Sequence, residues 1–328
     1  MRRMQLSVFC VVFVLSFAAF SVLAQEQPAG EKIELALKFQ KGQKLEYVQK
    51  NVSAASQNMP GKEEIKQSTT QENGMVQEVT DIDEKGVATV QLKYSYIKVK
   101  QAGPQGEWYF DSTDKKSLEK AKKEEMWKPY IAMLEKPFSF KIDRNGTVLE
   151  VKGFNEMVKE VFKDNPMAQE RSKGMFGDEA FKKTLQTYCL LPKEKVGKGD
   201  SWTTTSEIPL GPMGTMKIEY KFTFEGLEKL GERQCAKMKT ELTKLSLEGG
   251  MGGMFTISKP EGSGTYYFDT ANGILVKMES KMTYTMVMEM PASKEQPAPS
   301  LKITNEVTNS MILKEPAKEE PKKEEEKK

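Results

Sequence analysis

Histidine is absent from this chain of 328 residues, and its absence excludes more chemistry than any other feature of the composition. Ser-His-Asp and Cys-His catalysis, histidine-ligated zinc and imidazole pH switches are all ruled out. Carboxylate-pair hydrolysis, Ser-Lys chemistry and oxygen- or thioether-ligated metals stay available, but the chain carries no motif for any of them. We therefore expect no catalytic residue, no metal and no cofactor, and we favour a non-catalytic role.

Cysteine is scarce, with three residues in the chain. Cys10 lies in an apolar N-terminal run. Cys189 continues an apolar helical face, whereas Cys235 shares its strand face with Lys237 and Lys239, so we expect the first to face inward and the second outward. Two separate thiols are favoured over a disulfide, which an oxidising compartment would allow.

An excess of charge of either sign is also lacking. The chain has 50 basic and 47 acidic residues, and loss of Arg2 and Arg3 with a signal peptide would leave 48 against 47. Basic residues are interleaved with acidic and polar ones and form no stripe. The composition therefore gives no reason to expect nucleic acid or an anionic membrane surface as a partner.

A long apolar run occurs at the N-terminus. Arg2 and Arg3 precede it, and it ends at Ala24 before a polar stretch, which is the pattern of a cleavable secretory signal. We predict removal of residues 1–24, export to the periplasm or the extracellular space, and no transmembrane segment in the mature chain. A retained anchor is the alternative, because the run approaches the roughly 20 residues of a spanning helix.

Period-two alternation dominates the rest of the chain. In residues 216–224 the even positions are apolar and the odd ones polar or charged, which indicates a strand with one buried face. The same alternation recurs in 33–39, 88–96 and 301–313, and turns ending in Gly separate such runs. We predict an α+β protein made mostly of antiparallel β-sheet.

Helical spacing is concentrated in the middle of the chain. Apolar residues in 154–162 recur at intervals of three and four, and 178–191 forms a second such segment. A third begins near Asp114 and is broken or restarted at Pro129. We predict that these three helical segments pack against the sheet.

Two segments, 138–148 and 266–276, share an aromatic strand, an Asp, an Asn-Gly turn and a second apolar strand. This weak duplication favours two related β-rich halves with helices between them, although turn chemistry is common to all hairpins. The predicted organisation is a signal peptide at 1–24, a first half with a helical insertion at 25–152, a helical linker at 153–192, a second half at 193–313 and a disordered Lys/Glu tail at 314–328.

Methionine is unusually frequent on one predicted strand. From residue 278 onward one face carries five thioethers and a tyrosine, while the other carries mainly charged and hydroxyl residues. Such a face can be ordinary core, an adaptable wall for an apolar ligand or a soft Cu(I) site. The ligand-binding candidates are Met278, Met282, Tyr284, Met286, Met288 and Met290.

Three aspartates, Asp143, Asp200 and Asp269, lie at turns or strand openings. Asp at such positions usually accepts hydrogen bonds from its own backbone. Two carboxylates brought about 5 to 10 Å apart could hydrolyse glycosides, so a carboxylate-based hydrolase is kept as an alternative.

Two segments carry a resemblance to a known family. One runs from Pro137-Phe138-Ser139-Phe140 through Asp143-Arg144-Asn145-Gly146, and the other from Leu191-Pro192 to Gly199-Asp200-Ser201-Trp202. In these segments the chain resembles an uncharacterised family, a domain of unknown function, of exported bacterial β-rich proteins. The resemblance implies export and a β-rich fold, and it transfers no activity, ligand or catalytic residue.

The function that these observations favour is that of an exported, non-catalytic envelope protein acting as a structural or interaction module. The first alternative is a carrier of an apolar, lipid-like molecule that uses a groove lined by methionine and aromatic side chains. An apolar small molecule is the partner which that alternative implies. The second alternative is the hydrolase.

Overall fold

The computed structural model describes residues 31–187, 191–250, 254–289 and 300–314, and strands make up most of the regular structure in them. The strands are β1 (Lys44–Asn58), β2 (Ile65–Ile82), β3 (Ala88–Gly103), β4 (Gly106–Asp111), β5 (Phe138–Ile142), β6 (Val148–Lys152), β7 (Ser201–Pro209), β8 (Thr215–Leu230), β9 (Arg233–Glu248), β10 (Thr256–Asp269), β11 (Ile274–Glu289) and β12 (Ser300–Leu313). The α-helices are α1 (Lys115–Ala121), α2 (Lys128–Glu135), α3 (Phe154–Val161), α4 (Pro166–Phe176) and α5 (Asp178–Gln186), and short 3-10 turns are formed by Glu125–Trp127 and Gly211–Met213.

The strands of the described residues form one antiparallel sheet. Its order is β6-β5-β3-β2-β1-β12-β11-β10-β9-β8-β7, with β4 paired to β3 beside that path. The prediction of a mostly antiparallel sheet with a few helices is confirmed. Strands of the predicted first and second halves meet at the β1–β12 pair, so one sheet runs through both. Two related halves are therefore not confirmed, and the boundaries at 25–152, 153–192 and 193–313 stay a prediction.

The predicted strand at 33–39 is wrong. This segment makes a single bridge, between Ile33 and Val196, and otherwise lies across the ends of two hairpins. The backbone N–H of Leu37 donates to the carbonyl of Arg144 at 2.7 Å, and that of Lys38 donates to the carbonyl of Gly273 at 3.2 Å. We call residues 33–39 the N-terminal strap. Leu35 is fully buried, and Ile33, Leu37 and Phe39 are partly buried, because the strap crosses strand ends instead of pairing along a strand.

Helix α5 spans the gap between the two edges of the sheet, because it contacts both β6 and β7. The side chain of Gln186 accepts a hydrogen bond from the backbone of Val148 at 2.8 Å and donates to the carbonyl of Gly146 at 2.9 Å. On the opposite side Lys183 pairs with Glu207 of β7 at 2.6 Å. The sheet therefore curls until both edges reach one helix, and α5 covers edges that would otherwise be exposed.

Local sequence explains where the helices begin. Asp114 caps α1 by accepting hydrogen bonds from two backbone N–H groups, and Asn165 caps α4, with Pro166 at its first position. The helices predicted near Asp114, at 154 and at 178 are confirmed, although α5 ends at Gln186. Helix α4 is missed by the sequence analysis, because its apolar residues do not gather on one face.

The three turn aspartates accept hydrogen bonds from backbone N–H groups of their own turns, as predicted. Asp269 differs from Asp143 and Asp200 in being 1% exposed, and it pairs with Arg233 at 2.8 Å. Burial tends to raise the pKa of Asp269, but hydrogen bonds from Asn272 and the pairing with Arg233 outweigh it and lower the pKa. These carboxylates thus hold turns in place.

Cys235, expected to face outward, is fully buried. In the β9–β10 register it lies opposite Asp269, which is also buried. At this end of β9 the alternation with Lys237 and Lys239 therefore does not indicate an exposed face. Burial raises the pKa of the Cys235 thiol to about 11, and the charge of Asp269 adds to this effect. Cys189 lies outside the described residues, so its pairing with Cys235 stays untested.

Three other predictions also concern residues that are not described. They are the signal peptide at 1–24, the position of Met290, and the tail beyond Lys314. Among the described residues, every helix is too short or too polar to cross a bilayer.

Candidate ligand cavity

A cavity of about 400 Å³ lies between the sheet and the helices. Its floor comes from β1, β2 and β3, and its roof from α2, α3, α4 and α5. Pockets that bind small molecules measure about 300–1,000 Å³ and are lined mainly by apolar side chains. The cavity therefore has the dimensions of a ligand site.

The floor of the cavity is built by the pleat of three neighbouring strands, which turns every second side chain toward it. The Tyr47 hydroxyl donates to the buried carbonyl of Leu275 at 2.9 Å, which ties β1 to the start of β11. The apolar and aromatic floor residues are Leu45, Tyr47, Met75, Val79, Val90, Leu92 and Tyr94.

The roof of the cavity is held by stacked aromatic rings. Phe154 of α3 lies between Phe138 of β5 and Phe181 of α5, with ring centroids 3.7 Å apart on each side. Phe154 and Phe181 also line the cavity. Because this stack sets the distance of α3 and α5 from β5, it fixes the height of the roof. The other roof residues are Tyr130, Met133, Phe176, Thr184 and Leu185.

One end of the cavity is closed by the N-terminal strap, which contributes Leu37 and Phe39 to the lining. The strap passes directly over Gly273, whose φ is +63°. A Cβ atom at this position would lie 2.4 Å from the backbone nitrogen of Lys38, well inside van der Waals contact. Gly273 therefore allows both the positive φ of the turn and the close approach of the strap.

The opposite end of the cavity is lined by side-chain amides on β1 and β2. Gln49 lies opposite Asn73 in the strand register, and Asn51 lies opposite Gln71. The Gln71 amide donates to Asn73 at 3.3 Å, and the Asn73 amide donates to Gln49 at 3.5 Å. Asn51 donates to Asn309 of β12 at 2.5 Å. We call Gln49, Asn51, Gln71 and Asn73 the amide cluster.

Charge is nearly absent from the cavity lining. Among the described residues that line it, Lys38 is the one charged side chain, and its ammonium lies at the surface, donating to the carbonyls of Thr270 and Ala271 at 2.9 and 3.1 Å. Aspartate, glutamate and serine do not occur in that lining. The cavity therefore offers no support for the carboxylate or Ser-Lys hydrolase. In the described part of the chain, no group of three His, Cys, Asp or Glu residues is suited to a metal ion.

The predicted methionine face of β11 lies outside this cavity. Met282 and Tyr284 are buried in a cluster with side chains of β8 and β9, and the Tyr220 hydroxyl lies 3.9 Å from the sulfur of Met282. Met278 is buried beside the cavity, opposite the lining residue Met311. The remaining candidates are Met286, which packs against the first cluster, Met288, which is half-buried, and Met290, which is not described.

The residues that the sequence analysis missed are those of the amide cluster. They share a face with apolar residues further along the same strands, such as Tyr47 on β1 and Met75 on β2. An alternation that changes from apolar to uncharged amide, without any charge on that face, is the signal that could have identified them. Apolar periodicity alone does not reveal this signal, because amides count as polar positions in such a pattern.

Comparison with known proteins gives a family without a function. A family model described as "Family of unknown function (DUF6263)" matches residues 85–275, which is more than half of the chain. This range covers all the strands from β3 to β10 together with the helices that roof the cavity. No curated protein matches.

The solved structures that match this chain are only distantly similar to it in sequence and in structure. A structure of lipovitellin, titled as showing lipid–protein interactions, is 12% identical, with 87% of this chain and 27% of that chain covered and a TM-score of 0.44. A YmcC-like-fold protein from Bacteroides fragilis, described as a candidate exported protein, is 10% identical over 86% of this chain and 98% of its own, with a TM-score of 0.23. OpdQ of Pseudomonas aeruginosa is 6% identical over 82% and 99%, with a TM-score of 0.20. These scores are too low to establish a shared fold.

Proposed function

This chain belongs to the DUF6263 family, and from the geometry of its cavity we propose that it binds one apolar, lipid-like molecule between the sheet and the helices. The observation that carries the proposal is a cavity of about 400 Å³ with a mostly apolar floor and roof and four neighbouring amides at one end. This combination of an apolar wall and a few polar groups is typical of small-molecule sites.

The lack of polar partners over most of the lining supports the same proposal. The cavity is partly open to solvent, so water can enter it, but water is held there only where it finds polar groups. A bound apolar molecule would instead bury the apolar lining and would need no such partners there.

The other functions stay as alternatives with their own support. A structural or interaction module in the envelope is the alternative if the cavity holds only water. Export from the cytoplasm is part of both proposals, and it rests on the sequence of residues 1–24. A ligand groove along the methionine face also stays a prediction, because Met286 and Met288 are partly exposed.

Displacement of an apolar dye tests the proposed function. The purified chain is titrated with N-phenylnaphthylamine, an uncharged dye that fluoresces in apolar surroundings, and n-alkanols of increasing length then compete with it. Each added methylene buried in the cavity is worth about 0.8 kcal/mol, so we expect affinity to rise about fourfold per carbon until the cavity is filled.

Two variants of β1 locate the binding. Leu45→Trp fills the floor of the cavity, and we expect it to weaken dye binding at least about tenfold, since the indole occupies the space of the ligand. Val52→Trp, on the opposite and exposed face of the same strand, is the matched control and should bind as the unmodified chain does. Absence of dye binding, or equal binding by both variants, would refute the proposal.

A further inference from the structure

We infer that the ligand carries an uncharged, hydrogen-bonding head group, which binds to the amide cluster, and that its apolar tail extends toward the N-terminal strap. This inference rests on the proposed function, because it describes the ligand of the same cavity. It goes further by naming the chemistry of the head group and the orientation of the molecule.

The amide cluster is suited to a head group that both donates and accepts hydrogen bonds. Each side-chain amide has two N–H donors and an oxygen with two lone pairs. The bonds from Gln71 to Asn73 and from Asn73 to Gln49, at 3.3 and 3.5 Å, are longer than the usual 2.9–3.0 Å. Long bonds between amides can be exchanged for shorter bonds to a ligand at little cost. An alcohol, amide or ester carbonyl would find partners here.

Asn73 strengthens this inference because it is 6% exposed while its side chain faces an apolar cavity. Burying an amide costs free energy unless its hydrogen bonds are made. Asn73 makes two such bonds within the cluster, to Gln71 and Gln49, and both are long. A polar group of the ligand would offer this buried amide shorter bonds.

A charged head group is disfavoured by the same wall. A carboxylate or an ammonium placed in an apolar site pays a large desolvation cost unless an opposite charge compensates it. Lys38 is the single charged lining residue in the described chain, and its ammonium is bonded to two carbonyls at the surface. It also lies on the strap, at the end of the cavity away from the amides. Among the described lining residues, neither sign of charge has a partner at the amide cluster.

The direction of the tail follows from the strands. From Asn51 to Leu45 the cavity face of β1 changes from amide to aromatic and then to aliphatic. On β2 the neighbouring amides Gln71 and Asn73 give way to Met75 and Val79, with Gln77 as a single amide between these two. Gln43 also lines the strap end, but the four neighbouring amides lie at the other end. These six steps along β1 cover about 20 Å at about 3.3 Å per residue. Leu37 and Phe39 of the strap close the apolar end. A chain molecule fits with its head at Asn51 and its tail end at the strap.

The test compares ligands that share one tail and differ in the head. Dodecanol, dodecanamide, dodecanoate, dodecylammonium and dodecane each compete with N-phenylnaphthylamine below their micelle concentrations at neutral pH. We expect dodecanol and dodecanamide to bind at least about tenfold more tightly than either ion, because the ions lose hydration without a compensating charge. Dodecane, which lacks the hydrogen bonds, should bind more weakly than dodecanol.

Variants of the cluster connect the preference to its residues. Asn73→Leu keeps the number and branching of the side-chain heavy atoms and removes the hydrogen bonds, and Gln71→Leu removes those of a less buried amide, where substitution is safer for folding. In both variants we expect the preference for dodecanol over dodecane to fall at least about threefold, with dodecane binding kept. Gln57→Leu is the matched control, since Gln57 is an amide on the same face of β1 outside the cavity, and it should leave the ranking unchanged.

The outcomes separate this inference from the proposed function. If neither the dye nor any of the five ligands binds, the proposed function itself fails. If dodecane and dodecanol bind but dodecanoate or dodecylammonium binds as tightly as dodecanol, the head-group inference is wrong while the function stands. Unchanged rankings in both Asn73→Leu and Gln71→Leu would likewise overturn the assignment to the amide cluster.

Discussion

At its β1–β3 end the curled sheet faces a cavity, whereas at its β8–β11 end the same face is filled by side chains of the sheet itself. Strand pairing is continuous between the two ends through β1, β12 and β11, so both ends belong to the same face of one sheet. In the filled region Met282 and Tyr284 pack against Met216 and Leu245. In the open region, helices cover the face at a distance. One face of the sheet is therefore buried by close packing of its own side chains at one end and by helices across a cavity at the other.

Glycine on β10 accounts for the filled region. Gly262 lies opposite Met282, and Gly264 lies opposite Ser280, so β10 places no side chain on this part of the face. A Cβ atom at Gly264 would lie 2.8 Å from the hydroxyl oxygen of Thr240. Side chains from the neighbouring strands occupy the space that β10 leaves, and flexible methionine adapts to its shape. The open region has no such glycine pair facing its cavity, and rigid aromatic rings hold its roof.

The largest expected effect concerns the turns at the ends of the two regions. Asp269→Ala should lower the free energy of unfolding by about 3–5 kcal/mol, because it removes a buried carboxylate that accepts several hydrogen bonds from its turn and pairs with Arg233. Asp143→Ala, at the corresponding and more exposed β5–β6 turn, should cost about 1 kcal/mol. Urea unfolding at neutral pH measures both. Equal losses would show that the two turns do not differ in burial as described.

The same pair of variants has a pH signature. The pKa of Asp269 is lower in the folded protein than its ordinary value of about 3.9, so the ionised form stabilises the fold. Its contribution is fully present above that ordinary value and is lost as the pH falls through the lowered, folded value. The stability difference between the unmodified chain and Asp269→Ala should therefore shrink below about pH 4.

A methionine pair compares the two regions directly. Met282 and Met75 are 8% and 7% exposed, but one lies in the filled cluster and the other beside the cavity. Met282→Ala should cost about 3 kcal/mol, since it creates a new void in packed surroundings. Met75→Ala should cost about half as much in the ligand-free protein, because its neighbours already border open space. If Met75→Ala costs as much as Met282→Ala in urea unfolding, the open region is packed after all.

A glycine pair tests the position of the strap. Gly273→Ala and Gly42→Ala both place an alanine at positive φ, which costs about 1–2 kcal/mol. Gly273→Ala should lower the thermal midpoint further than Gly42→Ala, because its Cβ also collides with Lys38, whereas Gly42 has open space around it. It should also weaken dye binding by displacing the strap. Equal midpoints and unchanged binding would mean that the strap does not close the cavity.

Much of the sheet is predictable from the sequence, and the cavity is not. The alternation in 216–224 and 301–313 is confirmed as β8 and β12, because a strand with one buried face repeats every two residues. The strap at 33–39 shows the same alternation but is not a strand. An extended segment that packs one side against strand ends also has apolar residues at every second position. The alternation predicts that Met278 and Met282 are buried, but it does not identify the residues that cover them. The space above Leu45 depends on the height of the Phe138–Phe154–Phe181 stack, which brings together distant parts of the chain.

A crystal soaked with a terminally brominated dodecanol would locate both ends of the ligand in the cavity. Anomalous scattering from bromine locates the tail, and the electron density of the chain locates the hydroxyl. We predict a bromine peak at the strap end, near Leu37 and Leu45, and the hydroxyl within hydrogen-bond distance of the amide cluster. A bromine peak on the methionine face near Met286, or no peak in the cavity at saturating ligand, would contradict the account.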